Sequence, residues 1–466
     1  MKIVFVGGGS FRTLPIVRGI MADPDVLAGG EIQSVDFNEA RAQTVAKLLQ
    51  KSPEVLRSGC TVGWTTSVER ALPGADAVSL VVPVGTVMTH QLSEKVSLEH
   101  DQVGSDQLTV SGAFRSLTGG EIVRDLTKKM ERLCPKAWLL CYANPEAVYS
   151  GYANNHTRIR TLGICAGFVN HRWDLTRILA NKNEYREDYE VAVAGVNHLS
   201  FITHGTVKGK DMHKAFAKRY GNGEPDMTFV GSKTLRTNLG FALSSMREAF
   251  HRTGQIVFST EYDGLSALMP DKGLAYVRKN FTHRTLPQIR KHIADVRISR
   301  AAADAEYAAH LNGPLDAAFW SRAEHSAPLA NFRPMCGDVA IDVIHALAGG
   351  RPKKLVASKP NQGAIASIKD RTVVEHSFTL DGNTLTPTPG LRLADSVHGL
   401  ITSLATHQTL LSDAIATQDP QIFAQALAAF PINQGSAANR SLFRKLLKIH
   451  AAEIPAVFQK AEHWLA

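Results

Sequence analysis

Residues 1–15 read MKIVFVGGGSFRTLP. Residues 3–6 are apolar, three glycines and a serine follow, and TLPIVRGIMA from Thr13 onward carries a helical pattern that tolerates Pro15 in its first turn. Strand, Gly-rich turn and helix in that order open a βαβ unit. Its turn and helix N-terminus present free N–H groups to a pyrophosphate. Gly7, Gly8 and Gly9 supply the first two glycine positions of GxGxxG, and Arg12 stands at the third. The turn alone therefore fits a structural bend as well as a nucleotide cradle. Context favours the cradle. Asp36 ends a second strand, EIQSVDFN, a little beyond the ~20 residues usual for the acid that binds the adenosine ribose. An Asp there favours NAD over NADP. Val82 and Pro83, in VVPVG, end a later strand where such folds make further dinucleotide contacts. Gly7, Gly8, Gly9, Ser10, Asp36, Val82 and Pro83 are the expected cofactor-binding residues.

The rhythm continues outward from this turn. CTVGWTT, ADAVSLVVPVG, AWLLCYANP and RTLGICAGF read as further strands. Helical patterns such as EARAQTVAKLLQKS and TGGEIVRDLTKKMERLCP separate them. This alternation predicts a doubly wound parallel sheet. After about residue 175 a strand pair, YEVAVAGVNHLSFITHGTVKGKD, gives way to long helical stretches such as SVHGLITSLATHQTLLSDAIAT and PQIFAQALAAF. The expected fold is α/β. A Rossmann-type NAD-binding domain over residues 1–172 precedes a mixed α+β, largely helical domain over 173–466. The second domain is assigned substrate binding, metal binding and oligomerisation. No Gly-, Ser- or Pro-rich linker divides the halves, so they are expected to pack closely.

Hydrophobic residues make up 44% of the 466 and charged residues 20%, a balance suited to a large folded core. The net charge of +9 is spread along the chain, with RPKK at 351–354 the nearest approach to a basic run. That argues against nucleic acid and leaves a solvated basic surface or an anionic small molecule. The five cysteines are irregularly spaced without a CxxC pair, so neither a disulfide framework nor a structural zinc site is suggested. No apolar run approaches the ~18 residues of a membrane span. The apolar start is too short for a signal sequence. A soluble cytoplasmic protein with no membrane or nucleic-acid partner is expected.

Three constellations carry candidate chemistry. Asn144, in YANP, ends a central strand and faces a ligand crevice, or it marks a turn before Pro145. Cys165, in GICAGF, and His198, in AGVNHLSF, are a thiolate and an imidazole able to share a divalent cation, or they are ordinary core residues. FSTEYDG brings Glu261, Tyr262 and Asp263. The tyrosine is a general base if a nearby cation lowers its pKa, or a packed aromatic beside surface acids.

Taken in order, these pieces resemble glycoside hydrolase family 4, the NAD-dependent glycosidases, over nearly the whole chain. The carriers are GGGS after the first strand, VDFN, GAFRSLTGGEIVRDLTKKMERLCPKAWLLCYANPEAV, GICAGF, AGVNHLSF, STEY and PNQGAIASIKDRTVVEHSF. The resemblance implies a fold related to lactate and malate dehydrogenases. It also implies a mechanism outside the two-carboxylate scheme. NAD⁺ takes a hydride from C3 of the sugar, the C2 proton becomes acidic, and the C1–O bond breaks by elimination. Water then adds and the hydride returns. A divalent cation, usually Mn²⁺, bridges O2 and O3. Carried over residue by residue, Cys165 and His198 would be metal ligands and Tyr262 the base. Asn144, Asn197 and Arg115 would contact the substrate. A small-molecule glycoside substrate and a homodimer or homotetramer are implied.

Several positions depart from the family pattern. Ala166 follows the signature Cys, where familiar branches carry Asp, His or Asn, so the leaving-group acid is missing, unnecessary or moved, with His171 a candidate. Phe258 stands where many relatives have His. HDQVGSDQLTVSGAFR departs from a Gly-rich form. CAGF resembles the signatures of branches acting on unphosphorylated galactosides and uronides. Two rival readings stay open. One is a sugar or hydroxy-acid dehydrogenase with net NAD turnover. The other is a non-catalytic NAD or sugar sensor.

Overall fold

The computed structural model describes residues 1–165, 167–180, 189–221, 233–282, 285–320, 338–432, 437–461 and 463. Its first six strands are β1 (Lys2–Val6), β2 (Glu31–Val35), β3 (Thr61–Thr65), β4 (Ala77–Leu80), β5 (Trp138–Cys141) and β6 (Thr161–Gly163). They pair in parallel in the order β3-β2-β1-β4-β5-β6, the doubly wound order of dinucleotide-binding folds. Side chains alternate across the pleat. Ile3 and Phe5 enter the core on one face of the sheet, and Val4 enters the core on the other. β4 (AVSL) and β5 (WLLC) are buried along their whole length, as strands covered on both faces must be.

The sheet continues past β6. β10 (Lys353–Pro360) lies antiparallel to it, with Ser358 opposite Gly163. β11 (Val373–Asp381) pairs with β10, and β7 (Tyr189–Val196) with β11. β8 (Leu199–Val207) and β9 (Lys210–Asp211) complete that edge, and β12 (Thr384–Pro387) pairs with β11. Long helices accompany these strands, and Asp395–Thr417 packs against β7 and β11. The expected α/β class, with a doubly wound sheet followed by a mixed, largely helical part, is what the chain adopts. The ladder that joins β6 to β10 makes one sheet of both parts, which the sequence reading did not include.

Two local features position the site. The helix expected from Thr118 begins earlier, at Val110. Thr109 caps it by accepting a hydrogen bond from the Gly112 N–H, and the helix runs to Leu133, so Arg115 sits in its second turn. The Gly7 backbone has φ +87°, a conformation that favours glycine, and a Cβ there would overlap the Val81 carbonyl oxygen. Close approach of β1 to β4 thus demands the first glycine of the opening turn. No helix among the described residues is long and apolar enough to cross a membrane.

Candidate active site

Where the strand order reverses, between β1 and β4, a cleft of about 1260 Å³ opens at the carboxyl ends of the strands. Gly7, Ser10, Asp36, Val82 and Pro83 line it. Gly8 and Gly9 do not line it. They form its backing: the Gly8 N–H donates to the Val35 carbonyl, and the Gly9 N–H donates to Asp36 Oδ2 at 3.1 Å. Asp36 Oδ1 accepts the Asn38 N–H. A sequence reading confined to the first half could not find the far wall. Helix Leu286–Ala309 lies across the cleft and contributes Arg300, Glu306 and Tyr307. Tyr307 stacks on Phe11 with ring centroids 3.6 Å apart, and Asp304 pairs with Arg41 at 2.7 Å. Arg12 lines the cleft too, but its guanidinium is held by Asp338 at 2.9 Å and lies over the Tyr142 ring. Tyr142 donates its hydroxyl to the same Asp338. Arg12 therefore completes a knot that fastens the C-terminal part to the turn. The cleft has the glycine turn, the acid at the end of β2 and the length to fit a dinucleotide.

Just beyond β6, Cys165 meets two residues distant in sequence. Its Sγ lies 3.8 Å from His198 Nε2. Ligand atoms of Cys165, His198 and Glu261 all lie within 4.8 Å of one another. The crowding explains Gly167: a Cβ there would stand 2.5 Å from Glu261 Oε1 and 3.1 Å from Cys165 Sγ. His198 occupies the turn between β7 and β8 with φ 69°. Its Nδ1 bonds Asp263 Oδ1 at 2.7 Å, and Ser105 donates to the other Asp263 oxygen at 2.6 Å. The acids of FSTEYDG are therefore not a surface pair, and Asp263 is only 1% exposed.

The electrostatics suit a cation. Burial opposes charge on His198, but Asp263 and Glu261 outweigh it and hold the imidazole pKa well above its ordinary value. Burial pushes the Cys165 thiol up, against the pull of His198. Burial would raise Glu261 as well, yet His171 and His198 overcome it and hold the carboxyl below its usual range. A proton on His198 thus stands where a metal would put its charge, and a bound cation must displace it. With Nδ1 committed to Asp263, Nε2 is the nitrogen left to ligate, the carboxylate–histidine arrangement of metal centres. The donor set of sulfur, nitrogen and oxygen fits a first-row divalent ion. Asp263→Asn is expected to weaken divalent-cation binding about 10–100-fold, read by calorimetric titration of the metal-free protein.

The remaining candidates surround this group. Asn144 is held at both ends, accepting from Gln107 Nε2 at 2.6 Å and donating to Asp106 at 3.1 Å. Arg115 Nε is buried without a hydrogen-bond partner among the described residues, and the Arg115 charge acts on Glu94 and His90. Burial and Asp106 push the Glu94 carboxyl up to about 8. Asn197, 2% exposed, donates to Glu375 at 3.0 Å, and its own Oδ1 is buried without a partner among the described residues. Glu375 also accepts from Ser200. Tyr262 begins the helix Tyr262–Leu268 and stacks on Tyr276 with centroids 5.2 Å apart. Burial, Asp263, Glu94 and Asp106 all raise its phenol pKa. His171 gives Nε2 to Glu261 at 2.5 Å and sets its ring edgewise on Phe258. Ala166 lies outside the described residues.

Asp106, Glu94 and Glu375 were missed as site residues. Asp106 and Glu94 lie in or beside the stretch that departs from the Gly-rich form. Glu375 lies in the RTVVEHSF segment, which carried the family resemblance without a role for the acid, and the structure places it on β11.

Residues 2–181 match the family model described as family 4 glycosyl hydrolase, and residues 193–432 match the C-terminal domain of that family. A probable 6-phospho-beta-glucosidase of Bacillus subtilis (strain 168) is 22% identical, with 99% of each chain covered. An alpha-galactosidase of the same organism is 27% identical over 47% of this chain and 50% of its own. A 6-phospho-alpha-glucosidase from gut microorganisms, solved in complex with NAD and Mn²⁺, superposes with a TM-score of 0.75 at 19% identity, covering 97% of this chain and 99% of that one.

Proposed function

We propose that this chain, which belongs to family 4 of the glycosyl hydrolases, cleaves a small glycoside by reversible oxidation at C3 with NAD⁺ and a divalent cation, Mn²⁺ foremost. The observation that carries this reading is the meeting of Cys165, His198 and Glu261 beside the dinucleotide cleft. Cys165 acts electrostatically on Arg12 in the cleft wall, so the two sites adjoin. Gly7, Ser10, Asp36, Val82 and Pro83 would hold NAD⁺, with Gly8 and Gly9 shaping the turn, and Cys165 and His198 would hold the cation. When bound, the pair supplies a hydride acceptor for C3 and positive charge at O2 and O3.

The protein's own groups do the rest. Tyr262 takes the proton from C2. Its surroundings keep the phenol protonated, so its basicity depends on positive charge brought in beside it. Asn197 Oδ1, buried and unpaired among the described residues, would accept a sugar hydroxyl. Asn144, clamped by Asp106 and Gln107, presents a fixed amide edge to the sugar. NAD⁺ held by the glycine turn and Asp36 would both accept and return the hydride, so no net oxidant would be needed.

An unphosphorylated glycoside, of galactoside or uronide type, fits the surroundings of Asn144 best. Carboxyl groups of Glu94 and Asp106 stand there with the single guanidinium of Arg115 among the described residues. One guanidinium can pair a sugar carboxylate. A phosphate dianion, carrying more charge than a carboxylate, would face Asp106 with only that guanidinium to offset it. The relatives named above include both a phosphoglucosidase and an alpha-galactosidase, so a panel decides. Nitrophenyl glycosides with and without 6-phosphate or uronate groups are incubated with NAD⁺ and Mn²⁺ in heavy water. The expected product carries deuterium at C2, with no accumulating NADH. Product bearing only hydrogen at C2 sinks the mechanism, and NADH rising with turnover favours a dehydrogenase instead.

A further inference from the structure

Glu261 has an unusual place for a carboxylate. It occupies the N-cap position of helix Tyr262–Leu268, yet its side chain makes no cap hydrogen bond. It turns instead toward Cys165 and His198. Oε1 is taken by His171 Nε2, whereas Oε2 is buried with no hydrogen-bond partner among the described residues. An unsatisfied carboxyl oxygen in a buried site is costly unless a partner completes it. The three ligand atoms lie within 4.8 Å of one another, close to twice the roughly 2.3 Å bond of such cations.

We infer that Glu261 is a third protein ligand of the divalent cation, with His171 as the positioning residue that fixes its carboxylate. This rests on the reading of Cys165 and His198 as ligands given above. The site then holds its ion through sulfur, nitrogen and oxygen before any sugar arrives. Charge balance agrees: a thiolate and a carboxylate neutralise a dication around a neutral imidazole. It also accounts for His171. With Nε2 spent on Glu261, its task is to orient a ligand, as hydrogen-bonded partners of ligating groups do elsewhere. The leaving-group proton must come from another group or from water.

The test is Mn²⁺ titration of the EDTA-stripped full chain without sugar, followed by loss of the free-Mn²⁺ paramagnetic resonance signal. Visible absorption of the Co²⁺ form is read in parallel. Wild type is expected to retain the ion. Glu261→Gln, which preserves shape and the bond to His171, is expected to raise the Mn²⁺ dissociation constant at least about tenfold. It should also change the Co²⁺ ligand-field bands while leaving thiolate-to-cobalt charge transfer in place. Glu261→Asp, run beside it with a thermal melt to confirm folding, should fall between the two. Equal Mn²⁺ affinity and an unchanged Co²⁺ spectrum in folded Glu261→Gln overturn the proposal. A shifted pH–rate profile with unaltered metal binding also overturns it, and makes Glu261 with His171 an acid–base pair. If Cys165→Ser leaves Mn²⁺ affinity unchanged, the failure lies with the underlying metal reading instead.

Discussion

Tyr262→Phe is expected to lower kcat by about 10²–10⁴-fold while leaving Mn²⁺ affinity and NAD⁺ retention close to wild type. Phenylalanine keeps the stack on Tyr276 and the first turn of helix Tyr262–Leu268, so only the phenol oxygen is lost. The size follows from the role. A positioned base that removes a carbon-bound proton contributes that much, and nothing nearby replaces it directly. Asp263, the next residue, is occupied by His198, Ser105 and its own Gly264 N–H. Burial, Asp263, Glu94 and Asp106 raise the phenol pKa, so activity of the wild type should climb toward alkaline pH as the phenolate forms. In Tyr262→Phe that limb should vanish. Steady-state kinetics and C2 exchange of unreacted substrate into heavy water measure both. A variant with wild-type exchange would remove Tyr262 from the chemistry.

Cys165→Ser is expected to cost three orders of magnitude or more in kcat/KM. Metal charge at the reacting oxygens is worth several kcal/mol, and each ~1.4 kcal/mol is tenfold in rate. EDTA should silence the wild type and Mn²⁺ should restore it, whereas Cys165→Ser should not recover at the same Mn²⁺ concentration. A hydroxyl is nearly the size of a thiol but ionises far less readily, so the variant loses the anionic ligand without much change in packing. The Gly167 N–H, which donates to Cys165 Sγ at 3.3 Å, can still donate to the serine oxygen, so folding should persist. Full activity after metal restoration would show that the sulfur is not a ligand.

The parts of this site legible in the sequence are those that chemistry confines to one short stretch. Gly7 must be glycine because its backbone φ and the Val81 carbonyl leave no room for a Cβ. A strand, a triple glycine and a helix therefore announce the cleft within fifteen residues. Asn144, Cys165 and His198 stood out as polar residues ending apolar strands. What stayed hidden depends on pairing across long separations. Glu375 enters the site because β11 lies between β10 and β7, and no local periodicity encodes that order. Asp263 reads as a surface acid until His198, 65 positions away, is brought to it. Arg12 looked like a flaw in the glycine fingerprint. It is a tether to Asp338, 326 positions on, and no spacing rule joins the two.

The ladder from β6 through β10 and β11 to β7 has a mechanical meaning. Cys165 follows β6 and His198 follows β7, so two of the three groups at the site hang from opposite ends of one hydrogen-bonded bridge. Such a bridge transmits neither hinge nor shear easily. The spacing between Cys165 and His198 is thereby tied to the pairing of these strands. The loop carrying Asp106 and Gln107 is tied to that centre, because Ser105 donates to Asp263 and Asp106 raises the Tyr262 phenol, so rewriting it for a new sugar would retune the chemistry as well.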